Sequence, residues 1–105
     1  MITRTRKPLE LDDHTASDIA ELFRALSDTS RIKLMATLIS GETNVGALAE
    51  AAGISESAVS HHMRNLRQLR MVRARKDGRQ VFYALDDQHI IDLFLRGVAH
   101  IQSGD

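Results

Sequence analysis

Residues 48–69, LAEAAGISESAVSHHMRNLRQL, constrain the fold more than any other stretch of the chain. A short alanine-rich segment (Val45, Leu48, Ala49, Ala52) runs into the tight connection Ala52-Gly53-Ile54-Ser55. Val59, Met63, Leu66 and Leu69 then recur at helical spacing. Small residues on the first helix let the second pack closely, which is the cadence of a helix-turn-helix. Upstream, Ile19, Leu22, Phe23 and Leu26 predict a first helix. Ser27-Asp28 offers an N-cap for a second, carrying Ile32, Leu34, Met35, Leu38 and Ile39 and ended by Gly41 as a C′ glycine. Thr43-Asn44 and Ser55 offer caps for the third and fourth helices.

Beyond Leu69 the pattern changes. Met71–Lys76 and Arg79–Leu85 flank Asp77-Gly78, which predicts a two-residue type I′ hairpin. Asp86 or Asp87 then caps a last helix running to about Gln102, with one apolar stripe of Ile90, Phe94, Val98 and Ile101. The expected fold is α+β, a winged helix-turn-helix of five helices with a two-stranded hairpin wing. Residues 1–13, which hold the only proline, read as a flexible arm, 14–102 as one domain and 103–105 as a tail. Aliphatic side chains must fill most of the core, because the only aromatics are Phe23, Phe82, Tyr83 and Phe94. No apolar run reaches the roughly 18 residues of a membrane span, and no apolar stretch follows the basic start. A cytoplasmic location is expected.

The formal net charge is zero, yet the charge is unevenly placed. Residues 61–79 hold seven of the fourteen Lys/Arg and a single acid, Asp77. Such a local basic surface can bind phosphate whatever the total. Ser55, Ser57, Ser60, His61 and Arg64, at the start of the fourth helix, are the candidates for contact with double-stranded DNA. Arg64 is suited to a bidentate contact with guanine. Arg67, Arg70, Arg73, Arg75 and Lys76 are candidate phosphate contacts, and the tip Lys76-Asp77-Gly78-Arg79 is a candidate wing. A solvated basic face on a helical scaffold would explain the arginines, but not their order with the serines and the hairpin. His61 and His62 are assigned to this face or to packing.

The chain has no cysteine, so any metal must be held by nitrogen and oxygen. His89 and His100 lie eleven residues apart on the last helix, with Asp87 two residues before the first. At about 1.5 Å per residue the imidazoles are roughly 16 Å apart along one face, far beyond the span of one ion. Two antiparallel copies of the helix would bring His89 of one chain beside His100 of the other. Metal binding here therefore requires a symmetric dimer. His14, with Glu10, Asp12 and Asp13, offers further donors near the arm.

Residues from about Leu22 to Gln102 resemble the ArsR/SmtB family of metal-sensing transcriptional repressors. The resemblance is carried by ALSDTSRIKLMATL in the second helix and by ISESAVSHHMRNLRQLRMVRARKDGRQVFYAL through the recognition helix and wing. It implies a homodimer joined through the first and last helices, which places Ile19, Leu22, Phe23, Ile90, Phe94 and Val98 at the interface. It also implies binding to an inverted repeat. The family's thiolate sites are excluded for want of cysteine. Its last-helix pattern is met by Asp87, His89 and His100, while Ser103 stands where a Glu or His is usual. Water, Asp105 or the terminal carboxylate could take that place. The resemblance further suggests that His100 donates to the main-chain carbonyl near Arg70.

Two imidazoles and a carboxylate suit Zn²⁺, with Co²⁺ or Ni²⁺ as alternatives. The expected function is repression by the metal-free dimer and release on metal binding. A metal-independent repressor of the same fold is the alternative. An enzyme is not expected, since no general base, nucleophile or oxyanion donor accompanies the ligand set.

Overall fold

The structure of the protein, a computed structural model, describes residues 6–104. The first five residues of the expected arm, and Asp105, lie outside the described residues. The elements run α1 (Asp13–Ala25), α2 (Thr29–Leu38), β1 (Thr43–Asn44), α3 (Val45–Ala52), α4 (Glu56–Gln68), β2 (Val72–Asp77), β3 (Gln80–Leu85) and α5 (Gln88–Ser103). Each helix begins on a side-chain oxygen that accepts an otherwise orphaned N–H. Asp12 accepts from Thr15, Asp28 from Ser30 and Arg31, Asn44 from Ala47, Ser55 from Ala58 and Asp87 from Ile90. The same bonds hold the Asp12 and Asp28 carboxyls below their ordinary value.

A third strand joins the expected hairpin, and two expectations are corrected. The sheet has three antiparallel strands, in the order β1-β3-β2, because Thr43 and Asn44 pair with Tyr83 and Phe82. Thus Asn44 both caps α3 and closes the sheet. The hairpin loop is Gly78-Arg79 rather than Asp77-Gly78, since Asp77 pairs with Gln80. Gly78 has φ +61° and Arg79 has no positive φ, which fits a type II′ turn with glycine first. Helix α2 stops at Leu38, so Gly41 sits beyond the C′ position. Helix α1 starts at Asp13, and α5 ends at Ser103, close to its expected end near Gln102.

Leu34, Met35, Leu48, Val59, Met63, Leu66 and Met71 are wholly buried where α2, α3, α4 and the base of the sheet meet. The outer helices contribute little to this core, since α1 buries only Ala25 and α5 only Ile90. Phe23 of α1 and Phe94, Val98 and Ile101 of α5 border an open groove of about 450 Å³, lined also by Leu26 and by Met35 of α2.

Helix α4 ends in a Schellman turn. Met71 N–H donates to the Leu66 carbonyl at 2.9 Å and Arg70 N–H to the Arg67 carbonyl at 2.9 Å. Arg70 occupies the left-handed position, with φ +58°. A side chain there costs about 1–2 kcal/mol, while glycine costs about 0.4–1 kcal/mol through a freer unfolded chain. Arg70→Gly is therefore expected to stabilise the fold by about 0.5–1 kcal/mol, seen as a rise in urea midpoint at fixed protein concentration. A fall in the midpoint would show that strain does not dominate at this turn.

Candidate DNA interface and metal-ligating residues

Burial of Val59, Met63 and Leu66 turns the opposite face of α4 outward. Ser57, His61, Arg64 and Arg67 are exposed on the helix, and Ser60 is half-buried. Ser55 is exposed, and its Oγ is engaged as the cap, accepting from Ala58 N–H at 3.0 Å. Lys76 and Arg79 are exposed on the wing.

Two of the expected phosphate contacts are already partnered. Arg75 forms a two-pronged contact with Glu42, at 2.7 Å and 3.0 Å to its two nearest oxygens, and stacks over the Phe82 ring at 4.8 Å. Glu42 is thereby held below its ordinary carboxylate value, and Arg75 is raised. Arg73 Nη1 donates to the Asp86 carbonyl at 2.7 Å. Both arginines brace the wing against the body of the domain. Glu42 gave no signal in the sequence, because its partner is 33 residues away.

His62 is half-buried behind the exposed His61, and its Nδ1 accepts from Arg31 Nε at 3.1 Å. Burial pushes the His62 imidazole below its ordinary value. Neither Arg31 nor this pairing was visible in the sequence.

At the start of α5, Asp87 Oδ1 accepts from Ile90 N–H at 3.0 Å and lies 3.7 Å from His89 Nδ1. The His89 side chain is 95% exposed, so nothing among the described residues covers it. His100 is exposed near the other end of the helix. Among the described residues no three His, Asp or Glu side chains converge on one point. One protomer thus brings Asp87 and His89 together and leaves His100 apart.

Ser103 Oγ donates to the His100 carbonyl at 3.2 Å, while among the described residues no hydrogen bond joins the His100 ring to the carbonyl near Arg70. His14 pairs with Asp18 at 3.4 Å on exposed α1. Of the expected interface residues, Ile19 and Phe23 are 38% and 54% exposed, and Leu22, Phe94 and Val98 are half-buried. Ile90, at 9% exposure, is already part of its own chain's core. Among the described residues no helix is long and apolar enough to cross a membrane.

Residues 28–74 match the family described as bacterial regulatory protein, arsR family. The chain is 46% identical over 90 residues to a transcriptional repressor SmtB homolog from Synechocystis, covering 86% of this chain and 68% of the relative. Among solved structures it resembles the AntR antimony-specific transcriptional repressor, with a TM-score of 0.83 and 26% identity over 94% of this chain and 90% of the other. It also resembles a homodimeric winged helix-turn-helix DNA-binding domain from Mycobacterium bovis. There the TM-score is 0.74 and the identity 26%, over 86% of this chain and 88% of the other.

Proposed function

The chain belongs to the arsR family of bacterial regulatory proteins, and on that premise we propose that it is a metal-responsive transcriptional repressor acting as a homodimer on double-stranded promoter DNA. The dimer forms through α1 and α5, where Ile19, Phe23, Phe94 and Val98 cover one another's apolar faces across a two-fold axis. Ser57, Ser60, His61 and Arg64 meet base edges in the major groove, while Ser55, Arg67, Lys76 and Arg79 meet the backbone. The two recognition helices must match half-sites about one DNA turn apart, so the angle between protomers controls affinity.

The observation that carries the metal reading is the Asp87 carboxylate standing 3.7 Å from an otherwise unencumbered His89 imidazole. His100 lies on the same helix at a spacing that only a second chain can close. This donor set of two imidazoles and a carboxylate fits Zn²⁺, or Co²⁺ or Ni²⁺, and contains no thiolate for softer ions. Asp87 and His89 of one protomer with His100 of its partner would hold the ion, which supplies a cross-link between subunits. Asp87 serves as helix cap and ligand together, because Oδ2 is not used by the cap. Tethered in this way, the two α5 helices hold the protomers at an angle that no longer fits the operator, and DNA is released.

The test is a titration of Zn²⁺, Co²⁺ and Ni²⁺ into the dimer on labelled promoter DNA, followed by anisotropy. Coupling of about 1–3 kcal/mol corresponds to DNA affinity falling about 5–150-fold on metal binding. A second reading, a metal-independent repressor, is favoured by Ser103, a neutral hydroxyl and therefore a poor ligand where a fourth ligand would stand. Unchanged DNA affinity with metal bound would decide for that reading.

A further inference from the structure

Three helices meet at the Arg31 guanidinium. Its Nε donates to His62 Nδ1 at 3.1 Å, and its Nη1 reaches the Ala25 carbonyl at 3.5 Å. Its own backbone N–H is held by the Asp28 cap at 3.2 Å. Ala25 ends α1 and is the one residue that α1 buries. Arg31 lies in the first turn of α2, and His62 in the middle of α4 between exposed His61 and buried Met63. The contact therefore runs from the end of an outer helix to the helix that carries Ser57, His61 and Arg64.

We propose that Arg31 and His62 form a latch that fixes the pose of α4 against the α1–α2 corner, making Arg31 a positioning residue for DNA binding that acts through the His62 ring. The proposal rests on the reading of α4 as the DNA-contacting helix. The latch demands one chemical state. A ring that accepts at Nδ1 must be neutral and carry its proton on Nε2. Protonation would set an N–H against the N–H of Arg31 and a second positive charge beside the first.

The charged groups around the ring are few. Asp28 of α2 favours the protonated form, while Arg31 of α2 and His61 of α4 oppose it. Glu21 and Arg24 of α1 border the shallow pocket beside Arg31 and pair with each other at 3.4 Å. Among the described residues, none of the charges on the other elements packed against α4, Glu50 of α3 and Arg73, Arg75, Lys76 and Asp77 of β2, hydrogen-bonds to the ring. Burial outweighs Asp28 and lowers the ring below its ordinary 6.5. Between that native value and 6.5 the unfolded chain binds more protons than the native one, so stability rises with pH. The latch is intact above 6.5 and is lost as pH falls through the lowered native value.

The test uses the full-length apo dimer with chelator. Nitrogen-15 NMR of the imidazoles is expected to show His62 as the Nε2–H tautomer at about pH 7.5, and Arg31→Lys to turn it into a tautomer mixture. His62→Asn places an oxygen where Nδ1 stands and cannot titrate, whereas His62→Gln places its polar atoms near Nε2. At about pH 7.5 the Asn variant should bind promoter DNA as the native protein does, and the Gln variant about tenfold more weakly. As pH falls through the lowered native value of the His62 ring, the native protein should lose affinity relative to the Asn variant. A His62 ring in the Nδ1–H form, or Asn and Gln variants of equal affinity, overturns the latch. Failure of the native protein to bind promoter DNA would instead overturn the reading of α4, and the tautomer measurement would still judge the latch.

Discussion

His100→Ala is expected to leave metal-free DNA affinity unchanged and to abolish the response to zinc. The His100 side chain is exposed and makes no hydrogen bond among the described residues, so truncating it disturbs neither the core nor α4. The native protein should lose DNA affinity about 5–150-fold on zinc binding, and the variant less than about twofold. His89→Ala should behave alike, for its side chain is 95% exposed. The stronger form of the experiment mixes the two variants. In an antiparallel pair, a heterodimer of His89→Ala with His100→Ala regains one complete site, with Asp87 and His89 from one chain and His100 from the other. Roughly half of a randomly mixed population is such heterodimers, so part of the zinc response should return. A site built within one chain could not be rescued in this way. If mixing restores nothing while each parent still dimerises, the intersubunit site is wrong. If His100→Ala responds fully to zinc, α5 is not the sensor.

Leu66→Ala is expected to cost about 2–5 kcal/mol, the largest stability effect of any change considered. Leu66 is 0% exposed, and its carbonyl closes the Schellman turn that leads α4 into β2. Truncation opens a cavity where α4 meets the sheet, and the neighbours that could collapse into it, Met63 and Met71, are themselves wholly buried. A chain of this size has about 5–15 kcal/mol of total stability, so the loss is a large fraction of it. Urea unfolding at fixed concentration measures it. Arg67→Ala, one residue on and exposed, should stay within about 0.5 kcal/mol of the native value. Equal effects from the two changes would show that α4 does not present the face described.

The helices were legible because their signals are local. Asp28, Asn44 and Ser55 were readable as caps since each meets an N–H two or three residues away. Asp87 was one of two readable candidates, and the structure chose it over Asp86. Periodic Val59, Met63 and Leu66 showed which face of α4 turns inward. Strand β1 was missed because two residues carry no period, and Asn44 already had an evident role as a cap. The turn was misplaced by one residue because Asp-Gly and Gly-Arg each put a glycine in the loop, and strand pairing alone decides between them. Ile90 was placed at the interface by the resemblance, as part of the last helix's apolar stripe, yet a stripe does not say which end of a helix its own chain covers.

Sequence alone determined the number and order of the helices, the basic face of α4 and the wing, and the absence of thiolate chemistry. All of these depend on residue type and on spacings of a few residues. Only the tertiary structure decided that Arg75 is claimed by Glu42, that Arg31 grips His62, and that Asp87 leans on His89 while His100 waits elsewhere. The first two contacts join residues 33 and 31 positions apart. Such pairs form when packing of the buried faces brings two otherwise unremarkable surface positions within a hydrogen bond of each other, and no local pattern encodes that meeting.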